Sequence, residues 1–138
     1  MRKTKKVLLF AVILVVLGSF LASMFHTSFF QVKVKEIEFE TERGTLSGLL
    51  YMPKGAGEEE PRPVIVTTHG YLNTKEMQDA SAIEMSRRGY IVLAVDMYDH
   101  GDSRWKDEIK VGEQFATFWI YSQIDAANYM AGQDYKKK

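Results

Sequence analysis

The sequence predicts an α/β fold with an antiparallel start, preceded by a transmembrane helix. An uncharged segment, residues 7–25, follows a basic N-terminus. Residues 32–39, where apolar and charged residues alternate, and the mostly apolar residues 46–52 flank a polar turn, which predicts an antiparallel hairpin. Two β-branched, largely apolar runs follow, 64–68 and 91–95. About twenty helix-like residues separate these runs, which is typical of a parallel strand–helix–strand unit.

The first 25 residues predict a membrane anchor. Residues 1–6 hold four basic residues and no acidic one, and residues 7–25 hold no charged residue. That uncharged length just meets the ~20 residues that a helix needs to cross a bilayer. Because basic flanks remain in the cytoplasm, residues 1–6 are expected there. The predicted localisation is the cell membrane, through a single N-terminal span with the domain on the extracytoplasmic side.

Two alternatives to an uncleaved anchor stay open. In a cleaved signal peptide, residues 7–17 would be the apolar stretch, and cleavage after Ala22 or Ser23 would release a secreted domain. Either cut would place Phe20 or Leu21 at the third position before the cleaved bond, where small residues are preferred. The other alternative is a helix buried in the core of the domain.

The composition limits the possible function classes. The chain of 138 residues has no cysteine, which excludes disulfides and thiolate metal sites. Residues 1–30 hold four of the 18 basic residues, so the remainder has 14 basic and 18 acidic residues, a net charge of −4. A mildly acidic domain gives no reason to expect a nucleic-acid partner. We expect one domain, residues 32–138, in a compartment such as a bacterial cell surface.

Local signals define the predicted strands and the loop that follows them. The alternation in residues 32–39 slips at Lys35 and Glu36, which predicts a β-bulge. Residues 53–63 contain three prolines and two glycines and predict a surface loop. A wholly covered central strand is expected after this loop, because its residues show no polar alternation.

Two helices complete the predicted pattern. Asn73 or Thr74 is the expected N-cap of the first, which should end at Gly89. Residues 98–110 are expected to form a loop, and a long helix should follow over residues 113–130. The aromatic residues on one side of that helix are Phe115, Phe118, Trp119 and Tyr129. We predict that this stripe packs against the sheet, with a lipid-facing or acyl-binding surface as the alternative.

Three motifs in a fixed order give the chain a family resemblance. They are the apolar run that ends in His69-Gly70-Tyr71, the strand motif at residues 88–96, and the loop at residues 96–103 with its His-Gly-x-Ser sequence. Over residues 32–131 the chain resembles the N-terminal half of an α/β-hydrolase, closest to the dienelactone-hydrolase, serine-aminopeptidase and monoglyceride-lipase-like branches. In one respect it departs from that pattern, because Asp99 stands where the family's loop has its first glycine.

The resemblance implies an oxyanion hole after the first of the two apolar runs. In this family, the backbone N–H of the residue after His-Gly faces the developing negative charge on the substrate carbonyl oxygen. That residue is Tyr71 here, with Leu72 as a weaker candidate, and Gly70 allows a close approach of the backbone. His69 is not the expected base, because the family's base lies near the C-terminus. The alternative is that His69 packs under the strand end and Gly70 only turns the chain.

The second loop is expected to support the first rather than to react. By resemblance, the residues that brace these loops through hydrogen bonds are His69, Gly70, Asp96, His100, Gly101 and Ser103. A metal site is the alternative, with His69, Asp96, Asp99, His100 and Asp102 as ligands suited to a divalent ion. Since the family uses these positions for bracing, we expect no metal and no cofactor.

The described motifs contain no expected nucleophile. Ser103 has Trp105 where a G-x-S-x-G turn requires its second glycine, and the chain contains no G-x-S-x-G sequence. The family's sheet order, 1-2-4-3 for the first four strands, would leave residues 64–68 at an exposed edge. The expectation is therefore a fragment whose catalytic serine, acid and histidine lie beyond Lys138, so that no catalytic residue lies within this chain.

The leading functional prediction is a membrane-anchored, extracytoplasmic serine hydrolase acting on an ester, thioester or amide. Its expected partners are a small-molecule, acyl or peptide substrate in the full-length protein and the membrane, through residues 7–25. The alternative is an inactive hydrolase-fold module that binds or scaffolds other molecules at the membrane. A membrane protein with further spanning segments is a third possibility.

Overall fold

The structure is a computed structural model that describes residues 2–57 and 59–134. Its helices are α1 (Arg2–His26), α2 (Asp79–Arg87) and α3 (Ser122–Ala131), and its strands are β1 (Val32–Glu40), β2 (Gly44–Pro53), β3 (Val64–Thr68), β4 (Ile91–Val95) and β5 (Arg104–Trp105). A 3₁₀ turn (Lys75–Gln78) leads into α2, and a second one (Val111–Glu113) and a π-helical segment (Ala116–Tyr121) precede α3. Met1 of the predicted basic start and residues 135–138 of the predicted domain lie outside the described residues.

The strands form one mixed sheet with the order β1-β2-β4-β3. β1 pairs antiparallel with β2, β2 pairs antiparallel with β4, and β3 and β4 are parallel. The α/β fold class with an antiparallel start is therefore confirmed. The family resemblance predicts this order, and β4 is buried at all five positions, as expected of an inner strand. β3 is only half-buried along its length and forms the edge of the described sheet, so the prediction of a wholly covered central strand at residues 64–68 is wrong for the described part of the chain.

The predicted β-bulge in β1 is wrong. Every residue of β1 pairs in unbroken register with a residue of β2. The alternation slips because the two ends of the strand contact different cores. Val32 packs with α2 on one face of the sheet, and Phe39 stacks on Tyr129 of α3 on the other, with the ring centroids 3.9 Å apart. Lys35 and Glu36, where the buried face changes, are exposed.

The short strand β5 lies inside the segment that the sequence predicts as a loop. Its two residues pair with Gly44 and Thr45 at the start of β2. A two-residue strand is too short to show the alternation from which strands are recognised. Its effect is to fasten the loop after β4 to the sheet.

Helix α1 has the length and composition required to cross a membrane. Its segment from Lys3 to His26 is apolar, and none of it is buried inside the described protein. The interpretation as a buried core helix is therefore wrong for the described part of the chain. A membrane anchor and a signal sequence both have these properties.

Candidate functional site

The two loops that contain the motifs meet at the carboxyl ends of β3 and β4. Since β3 and β4 are parallel neighbours, their carboxyl ends lie side by side, and residues 69–74 and 96–103 follow them. The rings of His69 and His100 approach to 5.4 Å between centroids. The structure thus brings the predicted oxyanion turn and the predicted bracing loop together.

His69 is held in one tautomer by two backbone groups. Its Nε2 accepts the Met97 N–H at 3.1 Å, so the ring proton must lie on Nδ1, which contacts the Gly70 carbonyl oxygen at 2.7 Å. The side chain is fully buried. With both ring nitrogens in hydrogen bonds to the backbone, His69 joins the ends of β3 and β4 and leaves no lone pair for a metal or a substrate proton.

Tyr71 and Leu72 occupy an exposed turn directly after His69. The Asn73 N–H donates to the Gly70 carbonyl at 3.3 Å, and Leu72 adopts a left-handed φ of 58°. A left-handed conformation costs a non-glycine residue roughly 1–2 kcal/mol. Among residues 2–57 and 59–134, the N–H groups of Tyr71 and Leu72 donate no hydrogen bond. The turn therefore contains two adjacent backbone donors that have no partner among the described residues.

Asp96 lies fully buried at the end of β4 and organises the second loop. Its carboxylate accepts the Lys75 N–H at 2.7 Å, the Lys75 ammonium at 3.0 Å and the Asp102 N–H at 3.0 Å. Asp96 Oδ1 also lies 3.7 Å from His69 Nε2. A buried carboxylate needs such a set of donors, because an unpaired charge in the interior is strongly unfavourable.

Lys75 is the functional-site residue that sequence reasoning missed. Only 2% of its side chain is exposed, and its ammonium contacts four carboxylates: Asp102 at 2.6 Å, Asp96 at 3.0 Å, Glu36 at 3.3 Å and Glu76 at 3.9 Å. Burial on its own would lower the pKa of Lys75, but hydrogen bonds to Asp102 and Asp96 raise it above its ordinary value. No signal in the sequence marks Lys75, because a solvated lysine is the ordinary expectation in such a segment.

The same contacts explain why α2 begins later than predicted. Thr74 is extended, makes no capping hydrogen bond and instead donates its hydroxyl to Glu76. The backbone of Lys75 is fixed by Asp96, so the chain forms a 3₁₀ turn before the helix starts at Asp79. Thr74 is thus the N-cap position of the 3₁₀ turn that leads into α2, as predicted, but its side chain makes no capping hydrogen bond and α2 itself begins only at Asp79.

We expect the stability of the full-length protein to fall as the pH drops below about 4. The hydrogen bond from Lys75 holds the pKa of Asp102 below its usual range. A carboxylate with a lowered folded-state pKa stabilises the fold at neutral pH, and this contribution is lost as the pH falls through that pKa. Urea unfolding from pH 2 to 7 measures the effect. Asp102→Asn should reduce the slope of the unfolding free energy against pH in the acid range, whereas substitution of the exposed Asp107 by asparagine should leave that slope unchanged. Equal slopes for the unmodified protein and both variants would contradict this assignment.

Gly101 is required by the buried carboxylate beneath it. It has a left-handed φ of 49°, and a Cβ at this position would overlap the carboxylate of Asp96. We expect Gly101→Ala to lower the free energy of unfolding by about 2–3 kcal/mol, because it combines backbone strain with a steric clash. Gly112→Ala is the matched control, since nothing lies within 4 Å of its added Cβ. Similar unfolding free energies for the two variants, measured by urea denaturation, would refute the proposed role of Gly101.

Asp99, the departure from the family pattern, keeps the backbone conformation that a glycine would adopt. Its φ is 56°, in the left-handed region that aspartate tolerates better than most residues. Its carboxylate accepts the N–H of Trp105 at 3.0 Å. The substitution thus leaves the turn in place and adds a hydrogen bond to β5.

Ser103 is fully buried and joins the loop to the sheet. Its hydroxyl donates to the Asp96 carbonyl and accepts the N–H of Ser47, both at 2.9 Å. A hydroxyl with both bonds satisfied and no exposed surface braces the loop and is not accessible to a substrate.

The aromatic stripe divides between the core and the surface. The ring of Phe118 is buried and packs on His100 with the centroids 4.8 Å apart, whereas Phe115 is 67% exposed. The prediction that the whole stripe packs in the core is therefore wrong for Phe115. The π-helical segment has wider turns than an α-helix and so shifts the phase of the stripe. Tyr71 contacts both His100 and Trp119.

His100 has one unpaired acceptor, its Nε2, among the described residues. Its Nδ1 lies 3.0 Å from the Tyr98 carbonyl, to which only a protonated nitrogen can donate. Its Nε2 is buried and has no hydrogen-bond partner among the described residues.

The structure also bears on the alternative of a metal site. No group of three or more His, Asp or Glu side chains in the described part of the chain is placed to hold an ion.

Comparisons with known proteins connect this geometry to one fold. Neither a protein-family model nor a curated protein matches the chain significantly. Among solved structures, a hypothetical protein from Pseudomonas aeruginosa matches with a TM-score of 0.62 and 21% identity, over 78% of this chain and 33% of that one. A dienelactone hydrolase-like promiscuous phosphotriesterase from metagenomic libraries matches with a TM-score of 0.56 and 16% identity, over 78% and 46%.

A thioesterase domain from the curacin biosynthetic pathway also matches, with a TM-score of 0.51 and 20% identity, over 71% of this chain and 31% of that domain. These likenesses confirm the predicted α/β-hydrolase fold. The chain spans between about a third and a half of the length of these structures.

Proposed function

We propose that the described loops form the oxyanion-stabilising side of a serine hydrolase that cleaves an ester, thioester or amide. One observation carries the proposal: the N–H groups of Tyr71 and Leu72 are unpaired among the described residues and stand in an exposed turn at the carboxyl edge of the parallel strands. His69 fixes that turn to β4 through the Met97 N–H. Preorganised donors of this kind stabilise the charge that develops on an acyl oxygen.

The proposed reaction proceeds through an acyl-enzyme. A serine hydroxyl supplied by the longer protein attacks the substrate carbonyl carbon, and its proton passes to a histidine base. The tetrahedral oxyanion lies against the Tyr71 and Leu72 N–H groups. The alcohol, thiol or amine then departs with the proton from the histidine, and water hydrolyses the acyl-serine by the same route in reverse.

Turnover of p-nitrophenyl acetate by the full-length protein tests this proposal. We expect hydrolysis that is abolished by a fluorophosphonate reagent, because that reagent modifies activated serines. Mass spectrometry of the labelled protein identifies the serine. The absence of both turnover and labelling would refute the proposed hydrolase and favour the inactive binding module.

We also propose that α1 anchors the domain on the extracytoplasmic face of the cell membrane. Its length, its apolar composition and its exposure support this proposal. The anchored protein should resist extraction by alkaline carbonate, keep its N-terminal sequence and be digested by protease added outside intact cells. Release into the medium with a new N-terminus after residue 22 or 23 would show a cleaved signal peptide instead.

A further inference from the structure

An aromatic groove lies beside the turn that contains the proposed oxyanion donors. Its volume is about 330 Å³, which is within the range of small-molecule sites. Four of the residues that line it are aromatic: Tyr71, Phe115, Phe118 and Trp119. The ring centroid of Trp119 lies 5.2 Å from that of Phe115 and 6.0 Å from those of Tyr71 and Phe118. The four rings therefore form one continuous surface.

The lining of the groove is almost entirely apolar. The other residues that line it are Val111, Gly112 and Gln114, so none of the described lining residues is acidic, basic or a histidine. Phe118 is buried, whereas Val111 is 84% exposed and Phe115 is largely exposed as well. Large apolar side chains that remain in water around a groove are typical of a binding surface, because covering them with an apolar group is favourable.

The π-helical segment Ala116–Tyr121 explains why the groove is open. Residues three apart on a regular α-helix share a face, but here Phe118 packs in the core and Phe115 remains in solvent. The Ser122 hydroxyl supports the wide turn by donating to the Thr117 carbonyl, five residues earlier, at 3.3 Å. Turns of this kind are rare in proteins and occur frequently at functional sites.

Tyr71 connects the groove to the proposed oxyanion site. Its backbone N–H is one of the two proposed donors, and its ring is part of the groove wall. A carbonyl oxygen that accepts this N–H lies about 2.9 Å from the Tyr71 nitrogen. The two groups attached to the substrate's carbonyl carbon therefore begin beside the groove.

The chemistry of the lining favours the acyl chain over the leaving group. A leaving group must receive a proton as it departs, and the described lining residues include no histidine, acidic or basic side chain to supply it. His100 packs against Phe118, but its Nε2 is inaccessible. The acyl chain needs no proton and stays on the same carbon until the acyl-enzyme is hydrolysed. A charged chain would lose hydration here without gaining a partner.

We propose that this aromatic groove holds the aliphatic chain of the acyl group, so that the substrate is an ester, thioester or amide of an apolar carboxylic acid. The chain lies along Tyr71, Phe115 and Trp119 while its carbonyl oxygen accepts the Tyr71 N–H. This inference rests on the hydrolase function proposed above and adds the class of acyl group on which it acts.

Two isomeric esters test the proposal with the full-length protein. Ethyl hexanoate and hexyl acetate contain the same atoms but carry the long chain on opposite sides of the ester linkage. Acid release at constant pH measures their hydrolysis. From ethyl acetate to ethyl hexanoate, kcat/KM should rise about two- to fourfold per methylene, and ethyl hexanoate should exceed hexyl acetate by about tenfold or more. Equal values for the isomers, or a preference for hexyl acetate, would overturn the proposal.

A matched pair of variants shows whether this groove is the cause of the chain-length preference. Phe115→Ala should lower the ratio of kcat/KM for ethyl hexanoate to that for ethyl acetate about fivefold or more. Ile120→Ala should keep the ratio, because Ile120 is an exposed apolar residue of the same segment that does not line the groove. An unchanged ratio in Phe115→Ala, or equal changes in the two variants, would assign the preference to another surface.

Binding of a ketone separates the groove from the proposed chemistry. Methyl pentyl ketone has a carbonyl and an apolar chain but no bond that can be hydrolysed, and acetone lacks the chain. Since Trp119 lines the groove, tryptophan fluorescence should report binding, with half-saturation at a concentration about tenfold or more lower for methyl pentyl ketone than for acetone. Ketone binding without ester turnover would retain the groove and refute the hydrolase. Ester turnover without ketone binding would retain the hydrolase and overturn the groove.

Discussion

Replacing Lys75 by methionine should lower the free energy of unfolding of the full-length protein by about 3–5 kcal/mol. The ammonium is the buried counter-ion of Asp96, whose carboxylate has no exposed surface. Without it, the N–H groups of Lys75 and Asp102 are the donors that the carboxylate keeps among the described residues, because the methionine retains its backbone N–H. Urea denaturation followed by circular dichroism at pH 7 measures the loss.

A double-mutant cycle separates the ion pair from the volume of the side chain. Lys75→Met combined with Asp96→Asn leaves no unpaired charge, so the double variant should be more stable than the sum of the two single losses predicts. Lys110→Met is the control for the loss of an exposed lysine. A loss below about 1 kcal/mol in Lys75→Met, or additive single effects, would show that the pair does not hold the loop.

The strands and the parallel pair were predictable from their hydrophobic patterns, whereas the order β1-β2-β4-β3 was an expectation from the family resemblance. The half-exposed β1 alternates, the buried β4 does not, and a helix between β3 and β4 requires a parallel pair. The slip in β1 was misread because a local pattern cannot show which of two cores a residue faces. Only the packed positions of α2 and α3 reveal that Val32 and Phe39 serve different faces.

The candidate site was predictable in position but not in its contacts. The order of the motifs placed His69 and Asp96 at neighbouring strand ends, and the structure has them there. The hydrogen-bond partners of His69 and Asp96 are backbone groups and one buried lysine. These partners lie at no fixed spacing in the sequence, so no motif predicts them. Lys75 lies in a segment where a solvated lysine is the ordinary expectation, so its burial emerges only from the packing of the loop against β1.

Replacing Tyr71 by proline should reduce the kcat of the proposed hydrolytic activity by about 10²–10³-fold with little change in KM. Proline removes the backbone N–H that the proposal assigns to the oxyanion. The position suits proline otherwise, because Tyr71 is the second residue of a turn closed by Asn73 and Gly70, and its φ is not positive. Steady-state hydrolysis of p-nitrophenyl acetate measures both constants.

Tyr71→Ala is the control, because it removes the ring but keeps the N–H. The ring contacts His100, Phe118 and Trp119, so its loss should loosen the aromatic cluster and change kcat less than tenfold. Equal losses in the two variants would assign the effect to the ring and remove the backbone donor from the mechanism. A larger loss of kcat in Tyr71→Pro than in Tyr71→Ala would show that this turn acts through its backbone, provided that the unfolding free energies of the two variants agree within about 1 kcal/mol.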